Sequence, residues 1–327
     1  MPKPVKITAD TPCDIGAALV QRYNVELIPL HVTLGDTEYK DLIDIDLDTI
    51  YKYWDETGTL PKTSAVSVGE YLDVFRKYLQ EGYEIVHIGL GSGLSVSCQN
   101  ARLAAQELEG VYVVDSCSLS TGFGLLVCKA GEWVQEGLSA AEIAQRLESL
   151  NQKTSASFVI DTLAFLRAGG RCSSLMQLGA NLMSIKPSIQ VVNSKGGSMI
   201  VGKKYMGKLH RCVSKYMEDQ LKDREDICRE RVFITHSGGF SEEELEKMRQ
   251  EVESFGPWGG DMHHQGGLHH RLSLRPRHCG RIVYDQINHI FTKQPWELAG
   301  VRKTVLCRDC RSTKPHGADR AGSGETA

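Results

Sequence analysis

Over the first 255 residues, short apolar runs alternate with longer stretches in which apolar positions recur every three or four residues. The runs at 5–8, 25–33, 85–88 and 111–114 read as strands. The stretches 14–23, 47–57, 68–80, 95–108, 121–136 and 140–150 read as helices; Tyr71, Leu72, Phe75 and Leu79, for example, share one helical face. Strands alternating with helices of this length are the pattern of βαβ units. The chain is therefore predicted to be α/β, with a mostly parallel sheet covered by helices on both faces.

A second, smaller α/β series follows. Residues 156–160 read as a strand, 161–168 and 174–183 as helices, and 188–192 with 198–201 as a hairpin closed by Gly196-Gly197. Residues 206–222 read as a helix, 231–235 as a strand and 242–255 as a helix. The pattern gives two domains, 1–155 and 156–255, with a remainder at 256–327 that breaks the periodicity.

Helix starts are marked chemically. Ser67-Val-Gly-Glu70, Ser139-Ala-Ala-Glu142, Ser174-Leu-Met-Gln177 and Ser241-Glu-Glu-Glu244 all fit the capping box, in which a hydroxyl and a carboxylate or amide satisfy the orphan N–H groups of a first turn. Ser67 and Ser174 thereby acquire structural roles, whereas Thr63, Ser64 and Arg171, just upstream, have none.

Charge divides the chain in the same place as the pattern does. The 327 residues carry a formal net charge of −3. Residues 1–255 contribute −8 and residues 256–327 contribute +5, together with seven of the 11 histidines. An acidic body is a poor match for a nucleic-acid backbone. No apolar stretch reaches the ~18–20 residues of a membrane helix. The start runs into a strand pattern without a signal-peptide core, so a cytoplasmic protein with no stable membrane insertion is expected. Cys98, Cys128 and Cys212 fall inside apolar patterns and read as buried thiols rather than disulfides.

Several segments carry candidate chemistry. Ile85-Val-His-Ile-Gly89-Leu-Gly91-Ser-Gly93-Leu-Ser95 runs from strand through a Gly-rich turn to a helix, with Asp115 ending the next strand. As a dinucleotide fingerprint it fails at the third glycine, where Leu94 stands. What is left is a turn that either aims Ser92, Ser95 and helix N–H groups at an anion or has Ser95 capping its own helix. Pro61-Lys-Thr63-Ser64 adds two hydroxyls in a loop before a helix. Leu166-Arg-Ala-Gly169-Gly170-Arg171 is a reversal whose arginine either lies on the surface or meets an acidic partner across the domains; a cation at a helix start favours the latter slightly. No G-x-S-x-G elbow, G-x-x-x-x-G-K-[ST] loop or H-E-x-x-H motif occurs. Thr235-His236-Ser237-Gly238-Gly239 reads as a turn leading to the Ser241 cap. In the tail, His263-His264, His269-His270, His278-Cys279 and Cys307-Arg-Asp-Cys310 offer zinc ligands, but one C-x-x-C without a matching pair is a weak zinc signal.

Taken together these motifs resemble the DegV family of bacterial fatty-acid-binding proteins. The resemblance rests on Ile7-Thr-Ala-Asp10-Thr-Pro-Cys-Asp14, Tyr23-Asn-Val-Glu-Leu-Ile-Pro29-Leu30, Pro61-Lys-Thr63-Ser64 through Gly69-Glu70, Gly91-Ser92-Gly93-Leu94-Ser95 with Gln99-Asn100-Ala101, Asp115-Ser116, the Leu166–Arg171 segment and Ile185-Lys186-Pro187, in family order over residues 5–255. It implies a two-domain α/β protein without catalysis or cofactor of its own, enclosing one acyl chain between its domains. The carboxylate would be held by Thr63 and by a serine of the Gly/Ser turn, Ser95 before Ser92, with Ser64 and Arg171 nearby. Leu175, Met176, Leu178, Leu182, Met183 and Ile185 would supply apolar walls. The resemblance further implies a separate fatty-acid kinase as partner. The competing expectations are a small-anion phosphotransferase like the dihydroxyacetone kinases and a zinc-dependent interaction protein built on the tail. The family's closing strand and its T-H-x-G-P-G turn are not recognisable after residue 255. The shift to His, Arg and Gly is what out-of-frame translation would give, and it predicts an unpaired edge at 231–235.

Overall fold

The computed structural model describes residues 3–160, 185–236, 240–256 and 258, and the backbone of 303–310. The first domain is built on a four-stranded sheet of β1 (Val5–Asp10), β2 (Glu26–Ile28), β6 (Glu84–Gly89) and β7 (Val111–Asp115), ordered β2-β1-β6-β7 and parallel throughout. Five of the six residues in both β1 and β6 are buried, as expected of strands covered on both faces. Helices α1 (Gly16–Arg22), α3 (Val68–Gln80), α4 (Ser97–Ala105), α5 (Ser120–Gln135) and α6 (Ala140–Leu150) belong to this domain, α3 packing with α4 and α5 with α6.

The predicted strand at 25–33 is in fact two. Pro29 lacks the N–H a ladder needs, and β2 ends before it. The chain then enters a separate antiparallel sheet, β4-β3-β5, made of β3 (His31–Leu34), β4 (Thr37–Lys40) and β5 (Lys62–Ser64). Helix α2 (Leu47–Thr57) closes it, Ile50 packing with Val32, Leu34 and Ile45.

The second domain is an antiparallel sheet, β10-β9-β8-β12-β11. Its strands are β8 (Ser155–Ile160), β9 (Ile185–Val192), β10 (Ser198–Met206), β11 (Ile227–His236) and β12 (Lys303–Cys310). Helices α7 (Leu209–Leu221) and α8 (Glu242–Ser254) cover one face, burying Val213, Tyr216, Met217, Met248 and Val252 with Val159. The predicted hairpin is present, its turn formed by Asn193–Lys195 and the two left-handed glycines. The expected unpaired edge is corrected: β12 lies between β8 and β11, with Val232 opposite Arg308 and Thr235 opposite Val305. The Thr304-Val-Leu-Cys307 run has the β-prone composition such a strand requires, inside a segment whose overall composition hides it.

Helix α5 joins the two sheets. It contacts β1 on one side and β8, β11 and β12 on the other, and is buried from Ser120 to Gly131 apart from Lys129. The core on this face is continuous: Phe158, Ile160, Ile189 and Phe233 of the second sheet cluster with Ile7, Ile85, Phe123 and Leu126 of the first domain. Thr121 Oγ1 lies 2.8 Å from Thr235 Oγ1. Near the helix end, Glu132 accepts from the Arg231 guanidinium and the Tyr23 hydroxyl, and Lys129 bridges Glu132 and Glu230.

The capping boxes at Ser67, Ser139 and Ser241 form as predicted; that at Ser174 lies outside the described residues, as do the predicted helices at 161–168 and 174–183. Cys13, Cys98, Cys128 and Cys212 are buried free thiols. Among the described residues no helix is long and apolar enough to cross a membrane.

Two glycines should respond oppositely to alanine. A Cβ at Gly124 would fall 2.3 Å from the Cys13 carbonyl oxygen, whereas one at Gly69, in α3, meets nothing within 4 Å. Gly124→Ala should cost about 1–3 kcal/mol through overpacking. Gly69→Ala should gain about 0.5–1 kcal/mol from reduced unfolded-state freedom. Urea unfolding of the two variants, with unchanged m-values, checks both.

Candidate functional site

The Gly-rich turn after β6 is held from three directions. Gly91 N donates to Ser118 O, Gly93 N to Gly196 O across the domains, and Leu94 and Ser95 N to Gly91 O. Ser92 N donates to Asp115 Oδ1, which also accepts from Cys117 N. The backbone donors from Gly91 to Ser95 are thus all used inside the protein. Asp115 is occupied as a turn clamp rather than presented to a ribose, and of the helix N–H groups expected to face an anion that of Ser97 is taken by Ser95 Oγ. What the turn retains for a ligand is its hydroxyls.

Those hydroxyls differ. Ser92 is exposed and its Oγ packs on the β9–β10 turn, where a Cβ on Gly196 would stand 2.6 Å away. Ser95 is half-buried; its Oγ accepts from Ser97 N at 3.2 Å and lies 2.9 Å from Ser97 Oγ. The self-capping reading of Ser95 is therefore present in part, and the Ser97 contacts leave one position on its hydroxyl, either a lone pair or the proton, for a ligand. Thr63 is half-buried on β5 opposite Val32, and Ser64 beside it is exposed. Asn100 of α4 donates to Val66 O at 2.7 Å, tying the loop that carries Thr63 to the helix that follows Ser95. Arg171 and the predicted walls from Leu175 to Met183 lie outside the described residues.

Beneath the turn lies a buried polar cluster that sequence reasoning did not single out. Asp10, at the carboxyl end of β1, is fully buried. Its Oδ2 accepts from Leu90 N at 2.8 Å and its Oδ1 from the Tyr71 hydroxyl at 2.6 Å. His87, also fully buried, meets Thr8 Oγ1 at 3.0 Å through Nδ1 and lies with Nε2 3.6 Å from Asp10 Oδ1. Burial pushes the Asp10 carboxyl up to about 6, against the bonds from Tyr71 and Leu90 that favour its ionised form. Burial pushes His87 down to about 3, so it is neutral at physiological pH. The available signal was a polar residue inside an otherwise apolar strand run, His87 in Ile85–Gly89 and Asp10 closing Val5–Ala9, since a buried polar group demands a partner.

A cavity of about 270 Å³ opens beside α1, lined by Thr11, Ile15, Val20, Leu27 and Leu42 among others; Thr63, Ser92 and Ser95 are not part of its wall. Among the described residues no group of three His, Cys, Asp or Glu side chains is placed to hold a metal; the side chains of the tail histidines and cysteines lie outside them.

The DegV family, described as one of uncharacterised proteins, matches residues 4–266. The chain belongs to the DegV family. A DegV domain-containing protein of Clostridium acetobutylicum is 32% identical over 226 residues, covering 68% of this chain and 80% of the relative. In structure the chain is similar to a fatty-acid-binding DegV-family protein of Thermus thermophilus, with a TM-score of 0.70 and 24% identity over 94% of this chain and all of that one. A stearic-acid-binding protein of Eubacterium ventriosum gives 0.68 and 20% over 93% and 98%. DegV of Bacillus subtilis, a fatty-acid-binding protein, gives 0.68 and 20% over 94% and 99%. The two-domain α/β fold is thus that of the DegV family.

The cluster predicts a pH-dependent mutant effect. Asp10 binds its proton more tightly folded than unfolded. Its contribution therefore falls as pH rises from about 4 through 6, by about 3 kcal/mol at neutral pH. His87 acts oppositely: its stabilisation is full above about 6.5 and is lost as pH falls toward 3. Tyr71→Phe removes a bond that favours the ionised carboxylate over the protonated acid. It should cost about 1–3 kcal/mol at pH 7 and clearly less at pH 4.5, as read from denaturant midpoints at the two pH values.

Proposed function

We propose that this chain binds one long-chain fatty acid between its two domains and holds the carboxylate with Thr63 and Ser95, supported by Ser92, Ser64 and Arg171. The observation that carries this reading is membership of the DegV family, together with the likeness over more than nine-tenths of the chain to structures of proteins described as binding fatty acids. The Gly91–Ser95 turn is consistent with it. With the N–H groups from Gly91 to Ser95 consumed, the turn itself offers hydroxyls suited to one or two hydrogen bonds on a carboxylate.

The energetics are consistent. Each buried methylene is worth about 0.8 kcal/mol, so a long acyl chain gains ~10 kcal/mol of gross transfer energy. A buried carboxylate costs several kcal/mol unless hydroxyls and an arginine compensate. A binding protein of this kind has no chemistry to perform on its ligand. It keeps the acid in a defined pose and presents the carboxyl group to a separate kinase that phosphorylates it.

Extraction and mass spectrometry of the purified protein should find a long-chain fatty acid at close to one per chain; its absence, or bound zinc without lipid, rejects the reading. Thr63→Val and Ser95→Ala should each weaken binding by about 1–2 kcal/mol, each deleting one bond to a charged group, without loss of fold. Arg171→Ala should cost more, because an anion would lose its cationic partner. Titration with a fluorescent fatty acid measures all three.

A further inference from the structure

His31 has a carboxylate beside each of its ring nitrogens. It is buried on β3, where Nε2 lies 2.9 Å from Glu70 Oε1 of α3 and Nδ1 lies 3.4 Å from Glu38 Oε1 of β4. A neutral imidazole has one N–H, so it can donate to one of these groups and must turn a lone pair to the other; an imidazolium donates to both. Glu70 also completes the capping box of α3, its Oε2 accepting from Ser67 N at 3.0 Å and from Ser67 Oγ at 2.8 Å. Burial raises the Glu70 carboxyl, but the bonds from Ser67 and His31 outweigh it and hold the group below its usual value. Along the backbone, His31 pairs with Ser64 of β5, and Val32 beside it pairs with Thr63. The histidine therefore reaches both ends of the segment from Thr63 to Glu70, one through the β3–β5 ladder and the other through its ring.

We propose that His31 is a positioning residue for Thr63: its imidazolium, held by Glu38 and Glu70 at once, staples the β4-β3-β5 sheet to α3 and fixes the loop that presents Thr63, so that fatty-acid binding strengthens as His31 gains a proton. The inference rests on the assignment of Thr63 to the carboxylate. The balance is one proton from solvent onto a ring nitrogen of His31, with both carboxylates ionised before and after. Histidine is the side chain whose charge ordinarily changes between about pH 5 and 8. In the neutral form a lone pair faces one of the two carboxylates, and only one of the two bonds survives.

The ring has charged neighbours on three elements. From β4 it meets Glu38, with Lys40 opposite His31 in register. From α3 it meets Glu70. On β5, Ser64 stands in register with His31 and Lys62 with Thr33. Lys40 and Lys62 are exposed. Asp41, which follows β4, accepts from Thr11 Oγ1 at 2.8 Å. The Glu38 side chain is 59% exposed, so it can be changed without opening the core.

The test is calorimetric titration of the full chain with dodecanoate, below its micelle concentration, at pH 6 and at pH 8.5. Glu38→Gln offers the neutral ring an amide N–H where a carboxylate stood, and closes the staple without a proton. It should match the parent at pH 6 and bind ~5-fold more tightly than the parent at pH 8.5. His31→Asn has no proton to gain; it should match the parent at pH 8.5 and bind ~5-fold more weakly at pH 6. Ionisation of the ligand and of Asp10 is common to all three proteins and drops out when they are compared at one pH. A merely structural role for His31 would lower affinity equally at both pH values, and that result overturns the proposal. Because Glu38 is exposed, its variant decides the matter even where His31→Asn does not fold. If the parent binds dodecanoate and Thr63→Val weakens it, but Glu38→Gln follows the parent at both pH values, the staple is overturned while fatty-acid binding stands. Failure of the parent to bind, or indifference of binding to Thr63→Val, overturns the underlying site assignment and the staple with it.

Discussion

The rest of the structure depends on one helix buried on nearly all sides. From Ser120 to Gly131, α5 exposes little beyond Lys129, touching the parallel sheet through β1 and the antiparallel sheet through β8, β11 and β12. Such a helix has no amphipathic face to guide it and must fit by shape. It does so with small residues where backbone comes closest: Gly124 against the Cys13 carbonyl and Gly131 against the Tyr23 ring. The two sheets consequently share one apolar core, unlike the wetter, more polar contact usual between domains of one chain. At the Lys129 end of the helix, Arg231, Glu132, Lys129, Glu230 and Tyr23 form a connected network. The relation between the Gly-rich turn and the β9–β10 turn, joined by Gly93 N to Gly196 O, follows from that shared core.

Where local chemistry and periodicity agreed, the sequence was readable almost to the residue. Helices α2, α3 and α6 begin and end where predicted; Asp46, Ser67 and Ser139 cap them with side-chain bonds, two of them in full capping boxes. Reading failed where tertiary pairing decided the outcome. The apolar run at 25–33 carries no marker for which sheet each half joins beyond Pro29 itself. Strand β5, three residues long, exists only because β3 lies beside it. Strand β12 sits in surroundings rich in His, Arg and Gly, so that a short apolar run lost its weight against the composition around it.

The site was legible in a different way. Thr63 emerged by elimination, as a hydroxyl left without a capping role, and both Thr63 and Ser95 by resemblance to a family; neither route gives geometry. Sequence reasoning could not say that Ser118, Asp115, Gly196 and Gly91 take up the N–H groups from Gly91 to Ser95, because a glycine pattern carries no tertiary partners. It undervalued Asp10, Tyr71 and His87, which are separated by up to 77 positions and meet only when β1, β6 and α3 pack.

That buried cluster raises the question of why a carboxylate, rather than a neutral amide, stands at the end of β1. Two donors converge on it, the Leu90 N–H and the Tyr71 O–H. The first is backbone and can point only one way; the second is a rotor. An asparagine has a single acceptor atom, so once it serves Leu90 its amino group faces Tyr71 and forces the hydroxyl to accept. A protonated aspartic acid does the same, but an ionised one reverses it. The carboxylate is thus the one side chain of this size that can hold the Gly-rich turn through Leu90 in both protonation states while leaving Tyr71 free to turn. The unfavourable burial that lifts the Asp10 carboxyl to about 6 also keeps both states within a few kcal/mol of each other near neutrality. An amide would hold Leu90 as well as the carboxylate does, but it would fix the Tyr71 hydroxyl in the accepting direction.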